Sequence, residues 1–409
     1  MSMLSAALSS LAFVALFSTA PTDTTRIYGR ITTQNGETYE GFIRWDRNET
    51  NWSDILHASK QIPEENVRLS DELLGRRRAG RTVGFSILGV RFDLDSDDDY
   101  PTSASSGIRF GHILTLERTG SGARLVLISG AVVELRPGGD LGPDMRGVVI
   151  EDREIGEISL KWRDIDRVDF FNAPAGLRSR SGERLYGTVR TSSGGSFTGY
   201  IAWDVDETLT TDILDGKERG RSYEIRFGDI ASIEQRGNAS LVTLRSGRKL
   251  LLSGTNDVNN SNRGIVVTEP TFGQARISWR NFDRLDLHSA PASAPGDNPV
   301  AFQRRIHGTV HTVDDERLSG AIRWDNDEEF AWELLNGDAD GAELEIEFGA
   351  IREIERRGDG ARVTLRDGRS WVLRGSNDVG PGHKGIFVTR QDGSVAALPW
   401  DRIRSVVFD

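Results

Sequence analysis

Three groupings of side chains in this 409-residue sequence have types and spacings that could do chemistry. The first is a tryptophan followed directly by an aspartate, at Trp45-Asp46, Trp203-Asp204 and Trp324-Asp325. An aromatic face beside a carboxylate can hold a sugar or a cation. Each tryptophan, however, is in phase with an apolar residue two positions earlier (Ile43, Ile201, Ile322), so a core tryptophan followed by a turn-forming aspartate is the expected role. The second grouping is a polar loop, Asn256-Asp257 up to Arg263, echoed by Asn377-Asp378 up to Lys384 and, in reduced form, by Asp140 up to Arg146. Each version offers an acid and a base within seven residues. Such residues could assemble a repeated ligand pocket, and all eight are candidate binding residues. They could equally fold on their own Asx hydrogen bonds around a local ion pair.

The third grouping, Asp93-Leu-Asp-Ser-Asp-Asp-Asp99, sets carboxylates at alternate positions, as oxygen-rich Ca2+ loops do, and makes Asp93, Asp95 and Asp97 candidate metal ligands. It departs from the EF-hand pattern at Asp98, where the tight-turn glycine belongs, and at Ala104, where the bidentate glutamate belongs. A solvated acidic loop is the alternative. No other cofactor is implied.

Catalytic sets are harder to find. The chain has no cysteine, which excludes thiolate zinc sites, iron–sulfur clusters and cysteine nucleophiles. Of the six histidines, His307 and His311 are four apart, but on a strand that spacing is about 13 Å, too far to share one metal without other ligands. There is no nucleophile elbow, phosphate loop or zinc-hydrolase helix motif. No catalytic residue is assigned and an enzyme is not expected.

The elements that must position these groups repeat along the chain. Arg184-Leu-Tyr-Gly-Thr-Val-Arg-Thr191 is answered by Arg305-Ile-His-Gly-Thr-Val-His-Thr312 at an offset of 121, and the same offset links Trp203 to Trp324, Asn256 to Asn377 and Trp279 to Trp400. A third copy opens at Arg26-Ile-Tyr-Gly-Arg-Ile-Thr-Thr33, offset 158 from the second, while its later half is offset by only 117. The difference puts about 41 extra residues in the first copy, an insertion at about 57–107. The copies span 26–171, 184–288 and 305–409, with Pro-containing linkers between them. Within each copy the apolar period is two, as in Phe197, Gly199, Ile201 and Trp203, which predicts strands with one buried face. The mid-strand glycine predicts a bend or a close backbone approach. No helical stripe appears outside the N-terminus and the insertion.

The reading is therefore all-β: three tandem repeats, each made of two halves and each closing its own apolar interior. Each half pairs a hairpin with a later strand, a polar turn and a final strand, as in Ile225-Arg-Phe-Gly-Asp-Ile-Ala-Ser-Ile233 and Ile277-Ser-Trp-Arg-Asn-Phe-Asp-Arg-Leu285. This grammar resembles small SH3-like or Sm-like barrels. The resemblance implies a fold and transfers no function.

Residues 1–20 carry no charge and are mostly apolar or small, which reads as a signal peptide or an N-terminal anchor and implies a periplasmic or secreted protein. A net charge of −11 disfavours nucleic acid, and no membrane contact is implied beyond that anchor. The expected function is an exported, non-catalytic binding or scaffold protein, its partner a protein or polysaccharide of the envelope. The alternatives are an exported hydrolase acting on glycan or peptide and a nucleic-acid-binding barrel.

Overall fold

The computed structural model describes residues 24–74, 85–87, 90–92, 102–291 and 302–409. The apolar segment 1–20 and the acidic residues Asp93, Asp95 and Asp97 lie outside the described residues. The chain is all-β. Its one α-helix among the described residues, Glu64–Leu74, lies inside the insertion, and it is too short to cross a membrane.

The antiparallel strands form sheets of ten, ten and eight strands with two separate hairpins. In each copy the opening strand is clasped between the second strand and the last. Tyr28–Thr33 lies between Thr38–Arg44 and Ile165–Phe170. Tyr186–Thr191 lies between Ser196–Trp203 and Phe282–Leu287, and His307–Thr312 between Arg317–Trp324 and Ile403–Phe408. The ends of each stretch are thus hydrogen-bonded neighbours, which brings residues a hundred positions apart to the same place.

Alternation explains the buried face of Ser196–Trp203: Phe197, Gly199, Ile201 and Trp203 point inward. The outer face is not simply wet. Tyr200 and Ala202 are buried too, Tyr200 by an edge contact with Tyr186 and Ala202 at a cleft shared with the first copy. The apolar interior also departs from the expectation of three separate cores. One cluster gathers residues of the first copy, joined by Trp332, and a second runs continuously from Leu185 to Phe408. The reason lies in the ladder: strand Gly273–Ile277 pairs with Ala342–Glu347, so the sheet of the second copy continues into the third.

The insertion extends a hairpin. Strand Ile55–Gln61 pairs with Ser103–Arg109 from Ile55↔Arg109 to Gln61↔Ser103. In the second copy the same place is a tight hairpin, Ile213–Glu218 with Arg221–Arg226, whose turn residues Arg219 and Gly220 take left-handed φ of 50° and 79°. Residues 57 to 61 and 103 to 107, at the two ends of the expected insertion, therefore belong to the ladder, and the extra chain leaves from its tip.

The mid-strand glycines answer a close approach. A Cβ at Gly41, Gly199 or Gly320 would lie 1.9, 2.4 or 2.2 Å from the carbonyl oxygen of Glu151, Thr268 or Thr389 on the adjoining strand. Gly199→Ala is accordingly expected to cost about 1–3 kcal/mol, because that strand must be pushed away. The exposed control Ser192→Ala should stay within about 0.5 kcal/mol of wild type. Urea unfolding of the two variants checks this, and equal midpoints would contradict it.

Candidate functional site

The two recurring sequence groupings meet at one place in each copy. Trp45, Trp203 and Trp324 are wholly buried. Each indole Nε1–H donates to the backbone carbonyl of the loop aspartate, Asp140 at 2.8 Å, Asp257 at 3.0 Å and Asp378 at 2.9 Å. The following aspartate then takes the other side of the loop: Asp46, Asp204 and Asp325 accept the backbone N–H of Arg146, Arg263 and Lys384. Arg146 and Arg263 add guanidinium contacts to Asp46 and Asp204, each at 3.0 Å, and the Asn256 and Asn377 side chains donate to Asp204 and Asp325.

The loop aspartates complete the enclosure. The second carboxylate oxygens of Asp140, Asp257 and Asp378 accept the backbone N–H of His57, Asp215 and Asn336 at 2.9, 2.6 and 2.7 Å. The eight candidate binding residues are therefore brought together, but their acids face inward: Asp140, Asp257 and Asp378 are buried, while the Arg146 and Arg263 side chains remain partly exposed. The expected local pair of the loop's own acid and base is not formed, since Arg146 and Arg263 turn to Asp46 and Asp204 while Asp140 and Asp257 bond to a further strand. The Trp-Asp pairs are core tryptophan and turn aspartate. The turn itself is costly: Asp46-Arg47, Asp204-Val205 and Asp325-Asn326 all have φ between 40° and 81°, a region that the β-branched Val205 strongly disfavours.

A third acid completes each cluster. Glu49, Glu207 and Glu328 pair across the turn with the tryptophan backbone, so each sits beside the two aspartates. The signal for it was a glutamate four residues after each tryptophan, a spacing that stands out only once the turn is seen. Burial, and then the neighbouring carboxylates, push these groups up: Glu207 to about 8, and Glu49 and Glu328 well above the usual range. Asp257 and Asp378 rise chiefly through burial, to about 6 and about 7.

A second polar centre lies where the copies meet. His57, on the insertion hairpin, places Nδ1 3.0 Å from Asp140 and Nε2 3.2 Å from Glu345 of the third copy, with Gln274 of the second copy touching both. Two narrow clefts flank it, one lined by Lys60, Glu328 and Glu333, the other by Glu49, Asp54, Asp140 and Arg184. Further ties join the copies. Arg184 pairs with Asp54 at 3.1 Å and Arg109 with Glu347 at 3.0 Å; Lys60 pairs with Glu333 and sits 3.4 Å from Asp327. None of these partners was legible in the sequence, because each lies a hundred or more positions from its mate.

Burial alone would lower His57, but the charge of Glu345 and hydrogen bonds to Asp140 and Glu345 raise it to about 9. Burial would raise Glu345, and the same imidazolium with Arg276 brings it down to about 2. These two shifts describe one interaction. No family model, no curated protein and no solved structure matches this chain, so the site rests on its own geometry.

The pair fixes a pH window. Folded His57 keeps its proton to about 9 against an ordinary value of 6.5, so its contribution is full below 6.5 and lost as pH rises toward 9. Glu345 contributes fully above its ordinary 4.5, and that is lost as pH falls toward 2. Denaturant midpoints of wild type should fall between pH 6.5 and 9 more steeply than those of His57→Gln; parallel slopes would contradict the pairing. Lys60→Met, which leaves Glu333 and Asp327 without their buried cation, should cost about 3–5 kcal/mol in the same assay. An unchanged midpoint would count against that tie.

Proposed function

We propose that this protein is exported and non-catalytic, a binding or scaffold component of the cell envelope or secreted fraction. The observation that supports this reading most is where the buried charges go. Arg184–Asp54, His57–Glu345, Lys60–Glu333 and Arg109–Glu347 all join one copy to another. Buried pairs of this kind add little net stability, and in some proteins they fix one arrangement over others. They hold related units in fixed relation, and linked units raise the effective concentration of a partner that touches more than one.

The SH3-like or Sm-like character of the halves belongs to the same proposal, as does the signal-peptide reading of residues 1–20. A protein or polysaccharide of the envelope is the partner class that fits an acidic, exported chain. The hydrolase alternative would draw on His57, yet both of its ring nitrogens are held by carboxylates, which leaves no free nitrogen to take a substrate proton.

Two measurements test this. Cell fractionation of the full chain should recover it outside the cytosol. The purified protein should be retained on immobilised envelope polysaccharide or by a defined envelope protein, with the mass of the bound material unchanged. Recovery in the cytosol, or release of fragments from glycan or peptide, would overturn the reading.

A further inference from the structure

The carboxyl oxygens of Asp46, Glu49 and Asp140 come within 4.8 Å of one another, and so do those of Asp204, Glu207 and Asp257. Acidic residues alone do not make a site, since a cluster can sit hydrated at a surface. These do not. Glu49 is 7% exposed, and its Oε2 is buried with no hydrogen-bond partner while two other carboxylates stand beside it. Glu207 repeats the arrangement in a more open setting: its Oε2 is buried and unpartnered, although the residue as a whole is only partly buried. A buried carboxylate oxygen without a partner is costly, and a second and third carboxylate alongside make it more so. Two independent turns of the same chain aim such an oxygen at the same kind of place.

The third copy differs in having a cation of another copy close by. Asp325, Glu328 and Asp378 hold the matching positions, and Glu328 Oε2 is buried and unpartnered there too, but the first copy sends in Lys60, which pairs with Glu333 and lines the same cleft as Glu328. In the first two copies the basic residue at the loop, Arg146 or Arg263, is turned to Asp46 or Asp204, and in the first copy His57 is turned to Asp140, so none of these groups reaches the glutamate. Among the described residues no cation pairs with Glu49 or Glu207.

We propose that Asp46, Glu49 and Asp140 hold one hard divalent cation, that Asp204, Glu207 and Asp257 hold a second, and that the Lys60 ammonium replaces such an ion beside the third cluster. The donors are all oxygens, which selects the Ca2+ or Mg2+ class over softer metals. Three carboxylates leave positions for water, as such ions commonly retain. The first site opens on the cleft lined by Glu49, Asp54 and Asp140, which gives an ion a route inward. The ion would hold the tryptophan turn to the loop, a role separate from any partner the protein binds.

The test is calorimetric titration of CaCl2 and, separately, MgCl2 into the full chain freed of metal with EDTA, with thermal unfolding read alongside. Two equivalents of at least one ion should bind, and the unfolding midpoint should rise. Glu49→Gln and Glu207→Gln should each weaken one site by at least about tenfold. Because glutamine keeps the shape and removes repulsion, both variants in EDTA should unfold at or above the wild-type midpoint, which separates a lost ligand from a lost fold. Glu328→Gln should leave both equivalents in place. Failure of Ca2+, Mg2+ and Mn2+ to bind at millimolar concentration would overturn the proposal. So would binding that survives Glu49→Gln with Glu207→Gln but disappears in a variant with Asp93, Asp95 and Asp97 changed to Asn.

Discussion

An indole N–H inside an apolar interior must have an acceptor. Trp45, Trp203 and Trp324 are wholly buried, and each finds one on a loop fifty or more residues later in the chain. That single bond fixes where the loop lies against the hairpin end. Once it is there, the aspartate after the tryptophan takes the N–H of Arg146, Arg263 or Lys384, and the loop aspartate takes a backbone N–H of a further strand. The strained left-handed turn persists because these bonds over-determine it.

The same bonds concentrate negative charge. Three carboxylates gather beside Trp45 and three beside Trp203, all of them buried except the partly buried Glu207. Inside a protein this is sustained by neutralisation, by protonation or by a bound cation. In the first copy His57 pairs with Asp140, and close to the third cluster Lys60 pairs with Glu333 and lies 3.4 Å from Asp327. Both of those groups sit on the hairpin that carries the insertion. The charge requirement of the clusters and the association of the copies are therefore linked: the hairpin of the first copy reaches Glu345 and Glu333 of the third because buried acids there need its cations.

What could be read from the residues follows from how local each signal is. Period-two alternation announced Ser196–Trp203 and its buried tryptophan, and the mid-strand glycine announced a close backbone approach, found at Thr268. The eight loop residues could be grouped because the offset that relates them is regular along the chain. Glu207 was missed although it recurs four residues after each tryptophan, because turn acids are ordinarily solvated and only the left-handed turn folds this one inward. The burial of Tyr200 and Ala202, and the joining of the second and third interiors through Gly273–Ile277, depend on which strand of another copy arrives alongside. No local pattern specifies that. His57 and Glu345 are 288 positions apart, and neither residue's neighbours in sequence point to the other.

The measurement that bears most directly on this account is hydrogen exchange at the indole N–H groups of 15N-tryptophan-labelled protein, assigned by single Trp→Phe variants. The three indoles at 45, 203 and 324 should exchange only through global unfolding, with free energies equal to that from denaturant, while the half-buried Trp52 exchanges much faster. Fast exchange at 45, 203 and 324, with the sheets still intact, would mean that the loops are not held by those bonds and that the clusters form for some other reason.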